Sequence, residues 1–358
     1  MDPFVYEALP SRVVFGWGSL DRLADEVDRL GVSRVLVLAT PPQRAEAERI
    51  AAMLGPRVAG LFAGAVMHTP TDVTEAALGV LRETGADATL AIGGGSTTGL
   101  GKAIAWRTDL PQLVVPTTYA GSEMTPILGE TENGVKTTRR DRRILPETVV
   151  YDPALTLSLP AGLSATSGLN AIAHAVEGLY ARDRNPIVSL MAEDGVRALA
   201  AALPAIVRDP ADRAARSRAL YGAWLCGAVL GAVGMALHHK LCHVLGGSFD
   251  LPHAETHAVV LPHVVAFNAP AAPEAMAALD RALGEGEGGP ALRLHRLARA
   301  VGAPTALEAI GMPADGIDRA ADLAVANPYW NPRPFDRDAV HALIAAAFAG
   351  RTPSGPAA

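Results

Sequence analysis

The chain has 358 residues, 49% hydrophobic and 19% charged, with a net charge of −6 at pH 7. That is long enough for two domains with buried cores, and the acidic balance speaks against a nucleic-acid binder, which would carry a basic face. Two cysteines, Cys226 and Cys242, exclude a disulfide framework and fit a reducing compartment.

The opening Met1-Asp-Pro-Phe-Val-Tyr-Glu-Ala-Leu-Pro10 has no basic stretch followed by an apolar run, so no signal peptide is expected and a soluble, cytoplasmic protein is. Val35–Ala39 is an apolar run of strand length, and Pro42–Leu54 reads as a helix. Val73–Thr84 reads as another, followed by strand-like runs at Thr89–Ile92 and Leu113–Pro116. Short apolar strands separated by helices predict a parallel sheet with helices on its faces. After Asp152-Pro153 the pattern changes. From about Ser158 the chain is rich in Ala and Leu at helical spacing, with no clear strand. The expected architecture is therefore an α/β N-terminal dinucleotide-binding domain, residues 1–157, and an all-α C-terminal domain, residues 158–358. Ala219–Leu237 carries no charge over 19 residues, a length that can span a membrane. Its four glycines, and His238 and His239 directly after it, instead predict a buried helix or a pair of helices. The tail from Gly350 is expected to fray.

Gly93-Gly94-Gly95-Ser96 closes the second strand-like run and opens a helix through Thr97 and Lys102. Successive glycines let backbone N–H groups approach a phosphate, and a helix N-terminus adds positive potential. A tight strand-to-helix turn would use the same residues, and the run is not the G-x-G-x-x-G of the common dinucleotide fold. A second polar loop, Pro116-Thr117-Thr118-Tyr119-Ala-Gly-Ser122-Glu123, follows the next strand, and ligands of open α/β sheets gather at such carboxyl ends. After the first strand come Thr40, Pro41, Pro42 and Gln43, with no carboxylate to hold a ribose 2′-hydroxyl or repel a 2′-phosphate. Both NADH and NADPH are therefore admissible.

Six of the ten histidines lie between positions 238 and 263. His174 stands four residues after Asn170, and His243 four after His239, so each pair shares a helix face. His253 follows a proline on an expected loop, with His257 and His263 beyond. Converging imidazoles suit a metal or a proton-transfer site, although any single one is also compatible with a satisfied buried ring.

Together these motifs resemble the iron-containing alcohol dehydrogenase superfamily, over essentially the whole chain from Val13 to His263. Longer stretches are similar to its maleylacetate reductase branch: Ala65–Pro70, Gly95–Lys102, Thr117–Pro126, Asn133–Thr138, Leu169–His174, His238–His243, Pro252–His257 and Asn327–Arg333. The resemblance implies a fold of the dehydroquinate synthase-like type and a likeness in assembly, a homodimer. It implies a nicotinamide cofactor at Gly93, Gly94, Gly95, Ser96, Thr97, Thr117, Thr118, Ser122 and Thr40. It also carries the superfamily's metal-ligand positions onto Asn170, His174, His239 and His253, and a further active-site histidine onto His243. Two departures matter. Gly99 stands where many relatives have Asp, and Asn170 replaces the metal-binding Asp. Without a carboxylate the site binds a hard divalent ion less well, so Fe or Zn is expected to be weakly held or absent.

The reaction implied is reduction of the carbon–carbon double bond of maleylacetate to 3-oxoadipate, a step of aromatic-compound degradation. His239 and His243 would stabilise the enolate and supply the proton, in an order left open, with His174 and His253 completing the polar wall. A small dicarboxylate substrate calls for cations, and the candidates are Lys136, Lys240, Arg139, Arg140 and Arg333, although Arg139 to Arg143 also read as a solvated charged loop. Tyr119 either lines the pocket or packs. The competing readings are a metal-dependent alcohol or aldehyde dehydrogenase, an enzyme using NAD transiently as in dehydroquinate synthase, and a noncatalytic paralogue.

Overall fold

The computed structural model describes residues 4–9, 11–284, 286–327 and 329–354, with the side chain of Lys136 outside them. The end of the tail expected to fray, residues 355–358, and Pro328 within the Asn327–Arg333 motif also lie outside the described residues. The chain divides into two units, one from Ala8 to Leu159 and the other from Pro160 onward together with the residues before Ala8. The division falls where Asp152 caps a single turn at Pro153–Thr156 and Pro160 starts the next helix.

The first unit runs β1 (Arg12–Phe15), α1 (Leu23–Arg29), β2 (Val35–Leu38), α2 (Arg44–Leu54), β3 (Val58–Phe62), α3 (Thr71–Thr84), β4 (Ala88–Gly93), α4 (Gly95–Thr108), β5 (Gln112–Pro116), β6 (Ile127–Glu132), β7 (Val135–Arg140) and β8 (Thr148–Tyr151). Six strands form a parallel sheet in the order β1-β8-β5-β4-β2-β3. β2, β4 and β5 are buried at every position, which is why they read as continuous apolar runs. β1 and β3 lie at the sheet edges with partly exposed positions, and β8 has four residues, so each carries a weaker pattern. β6 and β7 pair antiparallel as a separate hairpin, in the region that the charged-loop reading covered. The strand order reverses between β2, which leads outward to β3, and β4, which leads the other way to β5. That switch point puts the ends of β2 and β4 side by side at the place where open α/β sheets bind ligands.

The second unit is helical: α5 (Ala161–Leu179), α6 (Pro186–Arg208), α7 (Arg213–Ala232), α8 (Leu237–Phe249), α9 (His253–Asn268), α10 (Pro273–Leu283), α11 (Pro290–Ala300), α12 (Gly316–Val325) and α13 (Arg337–Phe348), with no strand among its described residues. The uncharged Ala219–Leu237 stretch resolves into most of α7, a break, and the start of α8, which turns by 96°. No single helix among the described residues is long and apolar enough to cross a membrane; α7 and α8 reach that length only as this bent pair. Leu237, Leu241 and Leu245 of α8 pack with Val260 and Val264 of α9 and Leu343 and Ile344 of α13 in one apolar cluster.

Glycine sets how closely α6 and α7 approach. A Cβ on Gly222 would lie 2.8 Å from the Leu199 side chain and 3.0 Å from the Gly195 carbonyl oxygen, and one on Gly195 would lie 2.8 Å from Cys226 Sγ. Gly247, by contrast, has open space around it within α8. Gly222→Val is therefore expected to destabilise the protein by about 1–3 kcal/mol through overpacking. Gly247→Ala is expected to stabilise it by about 0.5–1 kcal/mol, because alanine loses less backbone entropy in a helix. Denaturant unfolding of both variants reads the two signs; equal effects would remove the close-approach argument.

Candidate functional site

In the sheet unit, β4 ends in Gly93 with φ 146°, a backbone angle that side-chain-bearing residues rarely adopt. A Cβ there would meet Gln43 Oε1 and Thr97 Oγ1, each at 2.5 Å, and one on Gly94 would touch Thr118 at 3.0 Å. Gly94 is the N-cap residue, so α4 begins inside the glycine run itself. The first-turn N–H groups of Gly95, Ser96 and Thr97 thus have no intrahelical acceptor, which makes an anion site. Around it the polar residues interlock. Thr40 donates to Gln43 Oε1 at 3.0 Å, and Gln43 Nε2 donates to Thr117 Oγ1 at 2.8 Å. The buried Thr97 hydroxyl has no partner among the described residues. The sequence assigned Thr40 and Thr117 to the cofactor site but gave no role to Gln43, the side chain that joins the ends of β2 and β5.

The second loop is held from below. Lys102, on α4 and wholly buried, donates from Nζ to the Ser122 carbonyl at 2.5 Å, the Thr125 hydroxyl at 2.9 Å and the Ile127 carbonyl at 2.9 Å. Burial pushes its ammonium down to about 7, against the pull of nearby Glu123. Glu123 is buried too, its carboxyl raised by burial, and it accepts a hydrogen bond from Tyr151 at 2.8 Å. Ser122 is therefore fixed by a lysine that the motif contains but that the sequence reading gave no role. Gly99 lies on the same helix. A Cβ there would come within 2.4 Å of Thr69 Oγ1, so Thr69 fills the space that an aspartate would need.

In the helical unit, α5, α8 and α9 bring six imidazoles together. Ring centroids lie 5.1 Å apart for His174 and His239, 5.1 Å for His239 and His257, 6.4 Å for His239 and His243, and 4.4 Å for His253 and His257. Glu177, three residues after His174 and fully buried, organises them. Its carboxylate accepts the backbone N–H groups of Ala236, His238 and His239 at 2.9, 2.8 and 3.3 Å, capping the start of α8. It also takes His239 Nδ1 at 2.7 Å. A carboxylate can only accept, so Nδ1 carries the hydrogen and Nε2 is the working atom. His239 Nε2 is buried and has no partner among the described residues; neither has Asn170 Oδ1 nor His174 Nδ1. Burial, then the neighbouring imidazoles, hold His174, His238 and His257 well below the usual histidine value, so these rings are neutral at pH 7.

The unpartnered atoms of Asn170, His174 and His239, with His253 beside His257, are donors of the type a divalent ion takes. Every donor is uncharged, and Glu177 stands behind His239 rather than in the set, so the ion would be held less firmly than by a set containing aspartate. A second group, His238, Cys242 and His257, brings its potential ligand atoms within 4.8 Å of one another. His238 Nε2 and His257 Nδ1 are 2.9 Å apart. Two ligands of a tetrahedral zinc with bonds near 2.0–2.1 Å would stand about 3.3 Å apart. The shorter spacing is that of an N–H···N hydrogen bond.

The candidate substrate cations are dispersed. Arg139 and Arg140 belong to β7 of the sheet unit. Arg139 pairs with Glu130 at 3.4 Å and lies 5.0 Å from the Trp106 ring centre, a structural engagement in place of the expected solvated loop. Lys136 is on the same strand, its side chain outside the described residues. Tyr119 is fully buried, as a packing residue is. Lys240 is on α8, one residue from His239, with Nζ 5.7 Å from the Tyr329 ring centre. Arg333 donates to the Phe267 carbonyl at 3.0 Å. Phe267 is fourteen residues along α9 from His253, about 21 Å at 1.5 Å per residue. Arg333 is therefore held near the other end of that helix from His253.

Two family models match the chain: "Iron-containing alcohol dehydrogenase" over residues 10–153 and "Fe-containing alcohol dehydrogenase family, C-terminal" over residues 164–348. Maleylacetate reductase of Rhizobium sp. (strain MTP-10005) is 59% identical over 353 residues, covering 99% of this chain and 100% of that one. Maleylacetate reductase of Sphingobium indicum is 60% identical, covering 98% and 99%. Among solved structures, maleylacetate reductase from Agrobacterium tumefaciens superposes with a TM-score of 0.96 at 58% identity, covering 99% and 100%. An iron-containing alcohol dehydrogenase from Corynebacterium glutamicum superposes with 0.92 at 42%, covering 100% and 98%.

The buried lysine has a pH signature. Its folded value, about 7, lies below the ordinary 10.5, so between those values the unfolded chain holds a proton that the folded one lacks. Its contribution to stability therefore rises with pH across that window and is lost as pH falls through about 7. Lys102→Met is expected to flatten this rise, read as the change in unfolding free energy between pH 7 and 9.5 in variant and wild type. The same slope in both would show that Lys102 is charged where it sits.

Proposed function

The chain belongs to the iron-containing alcohol dehydrogenase family, and we propose that it reduces the carbon–carbon double bond of maleylacetate to 3-oxoadipate with NADH or NADPH. The substrate assignment is supported by near-full-length identity of 52–60% to proteins named maleylacetate reductase. The chemistry is carried by one observation: a buried His239 whose Nδ1 is tied to Glu177 and whose Nε2 has no partner among the described residues.

Maleylacetate's alkene is conjugated to its ketone. A bound reduced nicotinamide would supply a hydride to the carbon β to the ketone; the π electrons would move onto the ketone oxygen as an enolate, and the α carbon would then take a proton. The balance is one substrate, one NAD(P)H and one proton to 3-oxoadipate and NAD(P)+. The backbone N–H groups from Gly95 to Thr97 receive the cofactor's phosphates, with Thr117, Thr118 and Ser122 beside them and Thr40 at the end of β2. No carboxylate follows β2 to repel a 2′-phosphate, which keeps both cofactors admissible.

At the other end of the reaction, a donor placed where the enolate charge appears lowers the barrier. His239 Nε2 carries a hydrogen only when the ring is an imidazolium, and Glu177 is the counter-ion such a ring needs in a buried site. His239 and exposed His243 share the tasks of holding the enolate and delivering the proton, while His174 and His253 form the surrounding wall. Lys240 is the cation nearest in sequence to this group and the proposed partner of a substrate carboxylate. A divalent ion at Asn170, His174, His239 and His253 would supply polarisation of the ketone oxygen. We further propose a cytoplasmic homodimer.

Purified protein treated with EDTA, then given NADH and freshly made maleylacetate, is expected to lose nicotinamide absorbance and yield 3-oxoadipate. Turnover appearing only after Zn or Fe is restored would make the metal-dependent reading correct, and none under either condition would remove the substrate assignment. His239→Ala and His243→Ala are each expected to lower kcat by about 100- to 10,000-fold, the range for loss of a general acid.

A further inference from the structure

The helical unit holds a cavity of about 330 Å³ whose lining includes none of the six clustered histidines. One wall is the face of α13 formed by Ala339, Ala342, Leu343 and Ala346, spaced as a helix face requires, and Phe267 of α9 closes it on another side. Its polar lining consists of Arg333, Arg351, Thr352, Ser354 and His263, with no carboxylate. The volume is at the lower end of the range for small-molecule sites, and an apolar wall with a few convergent polar groups is their usual make-up.

Three features indicate a ligand rather than a packing defect. His263 is 5% exposed, and its Nε2 is buried without a hydrogen-bond partner among the described residues. A buried polar group left unpaired in this way is costly, and a ligand atom would satisfy it. Burial, then the proximity of His295, lowers this imidazole to about 4, so at neutral pH it is an uncharged hydrogen-bonding group. Arg333 is held in place by its bond to the Phe267 carbonyl and by the Phe267 ring, 4.4 Å from its guanidinium carbon. Arg351 has its backbone N–H fixed to the Ala346 carbonyl at 3.0 Å, and its guanidinium makes no hydrogen bond or ion pair among the described residues. Two cations with no carboxylate between them attract an anion, and a guanidinium matches a carboxylate's two oxygens. The alanine, leucine and phenylalanine surface asks for an apolar body on that anion, which inorganic phosphate lacks.

We propose that this cavity is a binding site for a small organic carboxylate with a compact apolar body, its carboxylate on Arg351 and Arg333 and its body against α13 and Phe267. It is separate from the histidine cluster. His263 is six residues beyond His257, the cluster's nearest ring on α9, which puts it about 9 Å farther along the axis and on a different face of the helix. The proposal does not depend on the reaction assigned above.

The test is titration calorimetry of the full chain with benzoate as the probe, with inorganic phosphate in parallel, and with each repeated in saturating 3-oxoadipate. The expected result is benzoate binding at least tenfold tighter than phosphate and unaffected by 3-oxoadipate. Arg351→Gln is expected to weaken it at least tenfold, and Ala346→Phe, which fills the cavity, to abolish it. Both variants should keep wild-type circular dichroism and KM for maleylacetate. Benzoate binding displaced by 3-oxoadipate, unchanged in both variants, no tighter than phosphate, or absent from the wild type would each overturn the assignment. Should one variant fail to fold, the other decides, because one removes charge at an exposed residue and the other removes volume.

Discussion

A single buried carboxylate, Glu177, supports the chemical end of the molecule. It lies inside α5, wholly out of solvent, and has four donors: three backbone N–H groups at the start of α8 and the imidazole of His239. A charge in that position is stable only when its hydrogen bonds are complete. Here the donors that complete them are the ones α8 cannot satisfy within itself, since the first turn of any helix leaves its N–H groups open. One interaction thus fixes where α8 begins, how it meets α5, and which nitrogen of His239 is available.

The rest of the cluster follows from what that carboxylate does not reach. His174, His238 and His257 are buried with no carboxylate on their rings among the described residues, and burial together with mutual repulsion keeps them neutral. His238 and His257 satisfy one another through a ring-to-ring hydrogen bond. His239, by contrast, has the Glu177 carboxylate on its ring, so its protonated form has a counter-ion. A wall of neutral rings around one carboxylate-backed ring separates polarity from charge, which suits a reaction that creates a single transient anion.

In the sheet unit the corresponding constraint is steric. The ends of β2, β4 and β5 meet at a point where Gly93 and Gly94 leave no room for a Cβ, and where Gln43, Thr97, Thr117 and Thr118 occupy the space around them. Lys102 then ties the following loop to α4 from inside the core. The loop's polar groups are held by side chains that are themselves buried, so the anion site is built before any ligand arrives.

Hydrophobic period and punctuation were sufficient to locate β2, α2, α3, β4 and β5, to change the pattern to helical near Pro153 and Pro160, and to read Ala219–Leu237 as a buried helix or a pair of helices, between which the 96° bend decides. Each of these depends on residues close together in the chain, where spacing alone dictates which faces are apolar. The four-residue spacings that put Asn170 with His174 and His239 with His243 belong to the same class. Edge strands β1 and β3 escaped because partial exposure blurs their pattern. What remained hidden depends on through-space partners. The pairing of Glu177 with His239 joins residues 62 apart, that of Gln43 with Thr117 residues 74 apart, and the contact of Gly195 with Gly222 joins two helices. The motif that contains Arg333 likewise gave no sign that its guanidinium is held by the Phe267 carbonyl near the end of α9, 66 residues away in the chain. Local spacing determined which residue types sit on which element; only the packing of those elements decided which of them touch, because a hydrogen bond depends on distance in space and not on separation along the chain.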